Sequence, residues 1–231
     1  MDRTRLDAAI QCIRDYTDRH SKLKAAHHFV FDSPLDKCAG VPRFVMMGIN
    51  PGETDSDRKD GLRAVERTWL RDFYDGKSEP PSKRNMRWRK LAKWFANDEP
   101  LVLTELFFWN SHDGEALEEM IGPLWASGHL DFCKRMNRIL IEVYRPKAVI
   151  FTGTGIAERV ADKYCLHHVR DIREDYVRKS GMRKGERVNI QIMKHYRDAL
   201  CPWFFIRHPM AAFGVSKREQ EDTRNYIHAN L

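Results

Sequence analysis

Four short apolar runs, separated by stretches with helical character, constrain the fold of this chain more than any other feature. They cover residues 43–48, 101–106, 147–152 and 203–206. Runs this short and this apolar are typical of strands that are buried on both faces. Strands that alternate with helices favour a parallel sheet with helices on both sides, so we predict an α/β fold. In such a sheet ligands bind at the carboxyl ends of the strands, and we expect functional residues there.

The stretches before and between the runs predict helices over residues 7–20, 61–74, 85–95, 130–144 and 156–164. A polar and basic stretch from residue 170 to 198 precedes the fourth run. Within it, residues 188–192 alternate between apolar and polar side chains, which predicts one strand of a hairpin. A length of 231 residues suits one domain. We therefore expect a single domain over residues 1–231, with an inserted basic hairpin near residues 170–198.

The composition excludes several classes of protein. Hydrophobic residues make up 42% of the chain and charged residues 32%, so it has enough apolar side chains for a core and is neither collagen-like nor disordered. No apolar run approaches the roughly 18 residues of a membrane helix. The first residues lack the apolar stretch of a signal peptide. We expect a cytoplasmic protein with no membrane partner.

Charge and cysteine spacing bear on partners and cofactors. The chain carries 40 Lys and Arg against 33 Asp and Glu, a net charge of +7 that favours a polyanionic partner, nucleic acid first. Its five cysteines are scattered, without the spacing of a zinc or iron–sulfur site. The sequence Gly153-Thr154-Gly155 lacks the third glycine of a dinucleotide-binding motif. We expect no metal and no cofactor.

Two motifs follow the first and fourth runs. The first run ends in Gly48-Ile49-Asn50-Pro51-Gly52, where two glycines and a proline allow a sharp turn that holds Asn50 in a fixed pose. The fourth run is followed by Arg207 and then by His208-Pro209. The alternative is that both motifs are ordinary turns from a strand into a helix, with no functional role.

Taken together and in this order, the two motifs resemble those of the uracil-DNA glycosylase superfamily. Gly-Ile-Asn-Pro-Gly is similar to the first motif of the branch specific for thymine or uracil mismatches. The His-Pro start is similar to the second motif of the uracil-specific and single-strand-selective branches. Residues 103–106 occupy the place of the strand that carries the family's base-reading Asn, and residues 145–153 resemble its third strand and glycine. The resemblance covers about residues 44–214.

This resemblance implies a three-layer α/β/α sandwich with a central, four-stranded, mainly parallel sheet. It also implies a monofunctional DNA glycosylase, which flips a nucleotide out of the duplex and hydrolyses its N-glycosidic bond to leave an abasic site. His208 would donate to the base oxygen on which charge develops, and Asn50 would position the water. Because an amide cannot accept a proton as a carboxylate can, we name Glu53 as the assisting group. Glu53 is otherwise a solvated acid or a helix cap.

The position of the base-reading Asn holds Glu105 in this chain. An ionised Glu only accepts hydrogen bonds and pairs with an amino group such as cytosine N4, unless burial keeps the carboxyl protonated. Glu105 therefore favours a modified cytosine as the target, such as one in hypermodified phage DNA. The alternative is a Glu that faces solvent or pairs with an Arg.

Further residues complete the expected base and DNA contacts. Gly48, Ile49 and Pro51 would line the base site, and either Trp69 or Phe73 would stack on the flipped base, although each could instead be a core residue. Pro209, Met210 and Phe213 belong to the second motif, where Met210 replaces the family's Ser and, with Phe213, offers an apolar wedge for the duplex. Phosphate contacts are expected from the basic and aromatic stretch that contains Arg87 and Lys90, and from the insertion, including Arg187 and Lys194.

Three other functions remain open at this point. A repair glycosylase for uracil or thymine mismatches would use the same motifs. A non-catalytic nucleic-acid-binding protein could have kept the fold and lost the chemistry, as the residues at positions 105 and 210 would suggest. A hydrolase acting on free nucleosides or nucleotides fits the basic surface less well. In each case we expect a monomer, because chemistry on one nucleotide suits one chain.

Overall fold

The computed structural model describes residues 3–24, 26, 28–29, 42–49, 66–67, 94–111, 114–177, 185–207 and 217–231. The chain divides into two compact units, Met1–Pro146 and Lys147–Leu231, and each is described by itself. Both contain helices and parallel strands, so the predicted α/β class is confirmed. No helix in these ranges is long and apolar enough to cross a membrane.

Within the described ranges the first unit contains four helices with both ends described and four strands, and residues 94–95 are helical as well. Its helices are α1 (Arg3–Arg19), α2 (Ser21–Lys24), α3 (Gly114–Ile121) and α4 (Gly128–Tyr144). Its strands are β1 (His28–Phe29), β2 (Phe44–Gly48), β3 (Glu66–Arg67) and β4 (Leu101–Glu105). The first two apolar runs thus form strands within a residue of the predicted bounds.

Parallel pairing joins the strands of this unit. Strands β2 and β4 pair in register from Phe44 opposite Leu101 to Gly48 opposite Glu105. Strands β1 and β3 pair in parallel as well. The helix predicted over residues 61–74 is therefore wrong at Glu66–Arg67, where backbone pairing with another strand overrides the local apolar spacing.

Helices α1 and α4 pack against each other through their apolar faces. Leu6, Ala9 and Ile13 are buried on α1, and the ring of Tyr16 stacks on Phe132 of α4 with centroids 3.8 Å apart. Helix α4 begins at a good N-cap, since the Ser127 hydroxyl accepts a hydrogen bond from the Leu130 backbone N–H. It ends where the backbone of Arg145 turns left-handed.

The second unit contains the remaining strands and two further helices. The strands are β5 (Ala148–Thr152), β6 (His167–Val177), β7 (Arg187–Arg197) and β8 (Pro202–Ile206). A 3-10 turn (Thr154–Ile156) leads into α5 (Ala157–Tyr164), and the last helix is α6 (Lys217–Ala229). Helices α3 and α6 have no counterpart in the sequence prediction.

Strands β5 and β8 are the core of this unit, because every residue of both is buried and they pair in parallel. Strand β7 then pairs antiparallel with both β8 and β6. Strands β6 and β7 form a long antiparallel pair at the place where the sequence predicts a hairpin. Each of its two strands has 11 residues. The pair begins at His167, before the predicted start at residue 170.

Candidate functional site

Gly48 and Glu105 stand side by side at the carboxyl ends of β2 and β4. They are partners in the parallel register, and backbone hydrogen bonds extend the pairing beyond the strands. The Leu106 N–H donates to the Gly48 carbonyl and the Phe107 N–H donates to the Ile49 carbonyl, both at 2.9 Å. The first motif therefore leaves its strand directly beside Glu105, at the edge where ligands bind in α/β sheets.

The Glu105 carboxyl packs against the backbone of Gly48. A Cβ added to Gly48 would stand 2.9 Å from the Glu105 carboxyl carbon and closer still to Oε2. Oε2 is buried and has no well-formed hydrogen bond to any described residue. Burial raises the pKa of Glu105 to about 8, although a backbone hydrogen bond at Gly48 opposes this rise. At neutral pH the carboxyl is mostly protonated and can both donate and accept.

Asn137 of α4 fixes the backbone that carries Glu105. Its side chain is fully buried, and its Nδ2 donates to the Glu105 carbonyl at 2.9 Å. Its Oδ1 accepts from the Thr104 hydroxyl at 2.8 Å, so both ends of the amide are paired. Sequence reasoning missed this residue. The available signal was a single amide on the buried face of α4, between Cys133 and Leu140.

The segment after β4 is buried from residue 106 to residue 111. Trp109 is held by a hydrogen bond from its indole Nε1 to the Thr17 hydroxyl of α1, at 3.0 Å. Asn110 follows with only 4% of its surface exposed. Neither its Oδ1 nor its Nδ2 has a hydrogen-bond partner in the part of the chain that the structure describes.

In the second unit, Arg207 fixes the backbone that leads into the second motif. Its Nη1 donates to both carboxylate oxygens of Glu219 on α6, at 2.8 and 3.0 Å, and the Glu219 side chain is 4% exposed. The Arg207 N–H also donates to the Ile192 carbonyl. At the end of β5, Gly153 adopts a φ of 147°, a conformation that L side chains rarely adopt.

Of the predicted site residues, the structure describes Gly48, Ile49 and Glu105, and it brings these three together. The others lie outside the described residues: Asn50, Pro51, Glu53, Trp69, Phe73, Arg87, Lys90, His208, Pro209, Met210 and Phe213. The alternative of a solvent-facing Glu105 is not what the structure shows, because Oε2 is buried and the residue as a whole is half-buried.

One predicted phosphate contact is wrong. The Lys194 side chain is only 9% exposed and forms an ion pair with Glu158 of α5. The side chain lies on the face of β7 from which α5 supplies Glu158, so its ammonium is not available to a phosphate. Arg187 lies near the start of β7 and is exposed, as a phosphate contact requires.

The described residues contain no group of three or more His, Cys, Asp or Glu side chains placed to hold a metal ion. The geometry therefore offers a neutral, buried carboxyl and a buried amide on β4 and the segment that follows it. Such groups can form hydrogen bonds with a polar ligand. No protein-family model matches this sequence, and no curated protein matches it significantly.

Proposed function

We propose that this protein is a monofunctional DNA glycosylase that hydrolyses the N-glycosidic bond of a damaged or modified pyrimidine. We further propose that its core is the four-stranded, three-layer sandwich of the uracil-DNA glycosylase superfamily. One observation carries the proposal: the buried Glu105 carboxyl lies against Gly48, the first residue of the Gly-Ile-Asn-Pro-Gly motif. This is the relation expected if residue 105 reads the base and the motif supplies the water.

The chemistry follows from the motif residues. Breaking the bond moves negative charge onto the base, so a donor at the base oxygen lowers the barrier. His208 supplies that donor, and Asn50 holds the attacking water, with Glu53 assisting. The ion pair of Arg207 with Glu219 fixes the backbone next to His208 before DNA binds.

The protonation state of Glu105 decides which base it reads. An ionised carboxylate accepts only and selects an amino group such as N4 of a modified cytosine. A neutral carboxyl donates as well and also matches the N3–H and O4 edge of uracil or thymine. Because the pKa of Glu105 is raised to about 8, the neutral form dominates at pH 7. This observation favours a second candidate function, the excision of uracil or mismatched thymine.

DNA is the proposed polymer partner. The net charge of +7 supports it. Exposed cations on the β6–β7 hairpin, including Arg170, Arg173 and Arg187, are available for phosphates. Binding through such contacts weakens steeply as salt is added.

Base release from a panel of DNA duplexes, followed by mass spectrometry, tests the proposal. The panel contains uracil, thymine mismatches, 5-substituted cytosines and glycosylated phage DNA. Asn50→Ala and His208→Ala are compared with wild type, and Gly128→Ala is the control, because a Cβ at position 128 meets no atom within 4 Å. Release of one pyrimidine by wild type and the control, and by neither site variant, is expected. No release from any duplex, with salt-sensitive binding intact, would instead indicate a non-catalytic DNA-binding protein.

A further inference from the structure

Two buried asparagines of the first unit differ in a way that packing does not explain. Asn137 is fully buried, and both ends of its amide are paired, with Thr104 and with the Glu105 carbonyl. Asn110 is 4% exposed, and both ends of its amide lack a partner among the described residues. The Asn137 amide uses its donor and its acceptor within the fold, whereas the Asn110 amide leaves both unused.

An unpaired buried amide is unfavourable for folding. A buried polar group without a partner loses its hydrogen bonds to water and gains none in return, and such groups are rare in native proteins. The three residues before Asn110, which are Phe107, Phe108 and Trp109, are aromatic and buried. An apolar side chain of the same volume would remove the penalty. A polar group kept at such a position is explained when a ligand supplies its partners.

The position of Asn110 relates it to the proposed base site. It lies five residues after Glu105, on the same buried segment that leaves the carboxyl end of β4. Two hydrogen bonds hold this segment in place, one at Phe107 and one at Trp109. Phe107 is hydrogen-bonded to the Ile49 carbonyl, and the Trp109 indole is hydrogen-bonded to Thr17. The amide is therefore presented from a rigid backbone, as a recognition group requires.

We propose that Asn110 is a specificity-determining residue, whose amide hydrogen-bonds the flipped pyrimidine alongside Glu105. This inference rests on the proposed glycosylase function. A carboxamide presents one donor and one acceptor side by side, and pyrimidines present matching pairs at O2, N3 and position 4. With Glu105, the segment then offers two such groups to one base.

The test compares Asn110→Leu with the matched control Asn137→Leu. Leucine removes both hydrogen-bonding groups at similar volume in each case. Asn110→Leu is expected to leave the Tm unchanged or to raise it by about 2–4 °C, because it relieves an unpaired amide. It is also expected to lower kcat/KM for base release by about 10- to 100-fold, which is the effect of losing one good hydrogen-bonded contact with a base. Asn137→Leu is expected to lower the Tm by about 5–10 °C, because it leaves Thr104 and the Glu105 carbonyl unpaired.

A fall in Tm for Asn110→Leu that matches the control, with kcat/KM unchanged, would show a structural residue and overturn the inference. Unchanged Tm with unchanged kcat/KM would overturn it too, since a buried water would then be the partner. Thermal protection by free uracil and free cytosine separates this result from failure of the proposed function. Wild type could release no base and still be stabilised by a free base. If Asn110→Leu then loses this stabilisation, the inference is supported although the proposed function has failed. Absence of protection in wild type overturns it as well.

Discussion

The carboxyl group of Glu105 occupies the space where a side chain at position 48 would begin. Only a residue without a Cβ lets the carboxyl lie against the strand backbone, since an added Cβ would stand 2.9 Å from the carboxyl carbon and nearer to Oε2. Gly48 opens the first motif, so the motif and the carboxyl depend on each other sterically. The glycine is needed for this close approach, not for an unusual φ.

Gly48→Ala is expected to destabilise the protein by about 0.5–1 kcal/mol, because the Glu105 carboxyl, at the far end of a flexible side chain, must move away from the new Cβ. A midpoint shift in urea unfolding measures this loss. Gly128→Ala is the matched control, and we expect its stability to change by less than about 0.5 kcal/mol.

The double variant Gly48→Ala with Glu105→Ala separates the clash from other effects. If the contact causes the loss, Gly48→Ala is nearly neutral once Glu105 has been truncated, and the cycle gives a coupling energy of about 0.5 kcal/mol or more. Additive effects in this cycle would show that the two side chains do not interact.

The raised pKa of Glu105 makes stability fall as the pH rises. In the unfolded chain this carboxyl ionises near its usual pKa of 4.5, whereas in the folded protein it keeps its proton up to about pH 8. Its contribution is therefore fully present below pH 4.5 and is lost progressively between pH 4.5 and pH 8. Glu105→Gln, which cannot ionise, is expected to gain stability over wild type by a few kcal/mol at pH 9.

Urea unfolding of both proteins at pH 5, 7 and 9 checks this expectation. The difference between Glu105→Gln and wild type should be smallest at pH 5 and largest at pH 9. A difference that is the same at all three values would mean that the carboxyl is not held neutral by the fold.

Thr104→Val tests the hydrogen bonds that fix the backbone of Glu105. The variant keeps the shape of the side chain but leaves Asn137 Oδ1 without its donor, so we expect a loss of about 1–3 kcal/mol. It is also expected to lower the rate of base release, because Asn137 then holds the Glu105 carbonyl less firmly. Thermal unfolding and single-turnover kinetics provide the two readouts. Unchanged stability would show that the Thr104 hydroxyl does not pair with Asn137 in solution.

Glu219→Ala tests the ion pair that precedes the second motif. Removing this buried carboxylate leaves Arg207, itself only one-fifth exposed, without its bidentate partner, and we expect a loss of about 2–4 kcal/mol. Asp222→Ala on the same helix removes only an exposed pair with Arg218 and should cost about 0–1 kcal/mol. Equal losses in urea unfolding would contradict a special role for Arg207.

The strands were predictable because their apolar runs are short, dense and bounded by turn residues. Strand β8 illustrates this, since all five of its residues are buried and its residue bounds differ from the prediction by one. The strand at Glu66–Arg67 was not predictable, because two residues carry no periodicity and their pairing partner lies almost 40 residues away. The ion pair of Lys194 likewise joins it to Glu158, 36 residues away in the chain, which a local charge pattern does not reveal.

The candidate site divides in the same way. Glu105 was identified because it holds the position of the base-reading Asn in the family that the motifs resemble. Its neutral state depends on burial against Gly48, and the sequence left open which form would prevail. Asn137 and Asn110 were missed, because the difference between a paired and an unpaired buried amide appears only in three dimensions.

Competitive base release by wild type and Glu105→Gln, measured at pH 6 and pH 9, tests the central claim most directly. The claim is that Glu105 reads the excised pyrimidine. One reaction contains duplexes with uracil and duplexes with a 5-substituted cytosine. For wild type we predict that preference for the amino-bearing base rises with pH as Glu105 ionises, whereas the ratio for Glu105→Gln stays constant. Equal loss of release from both substrates in Glu105→Gln, with a pH-independent ratio in wild type, would contradict the claim.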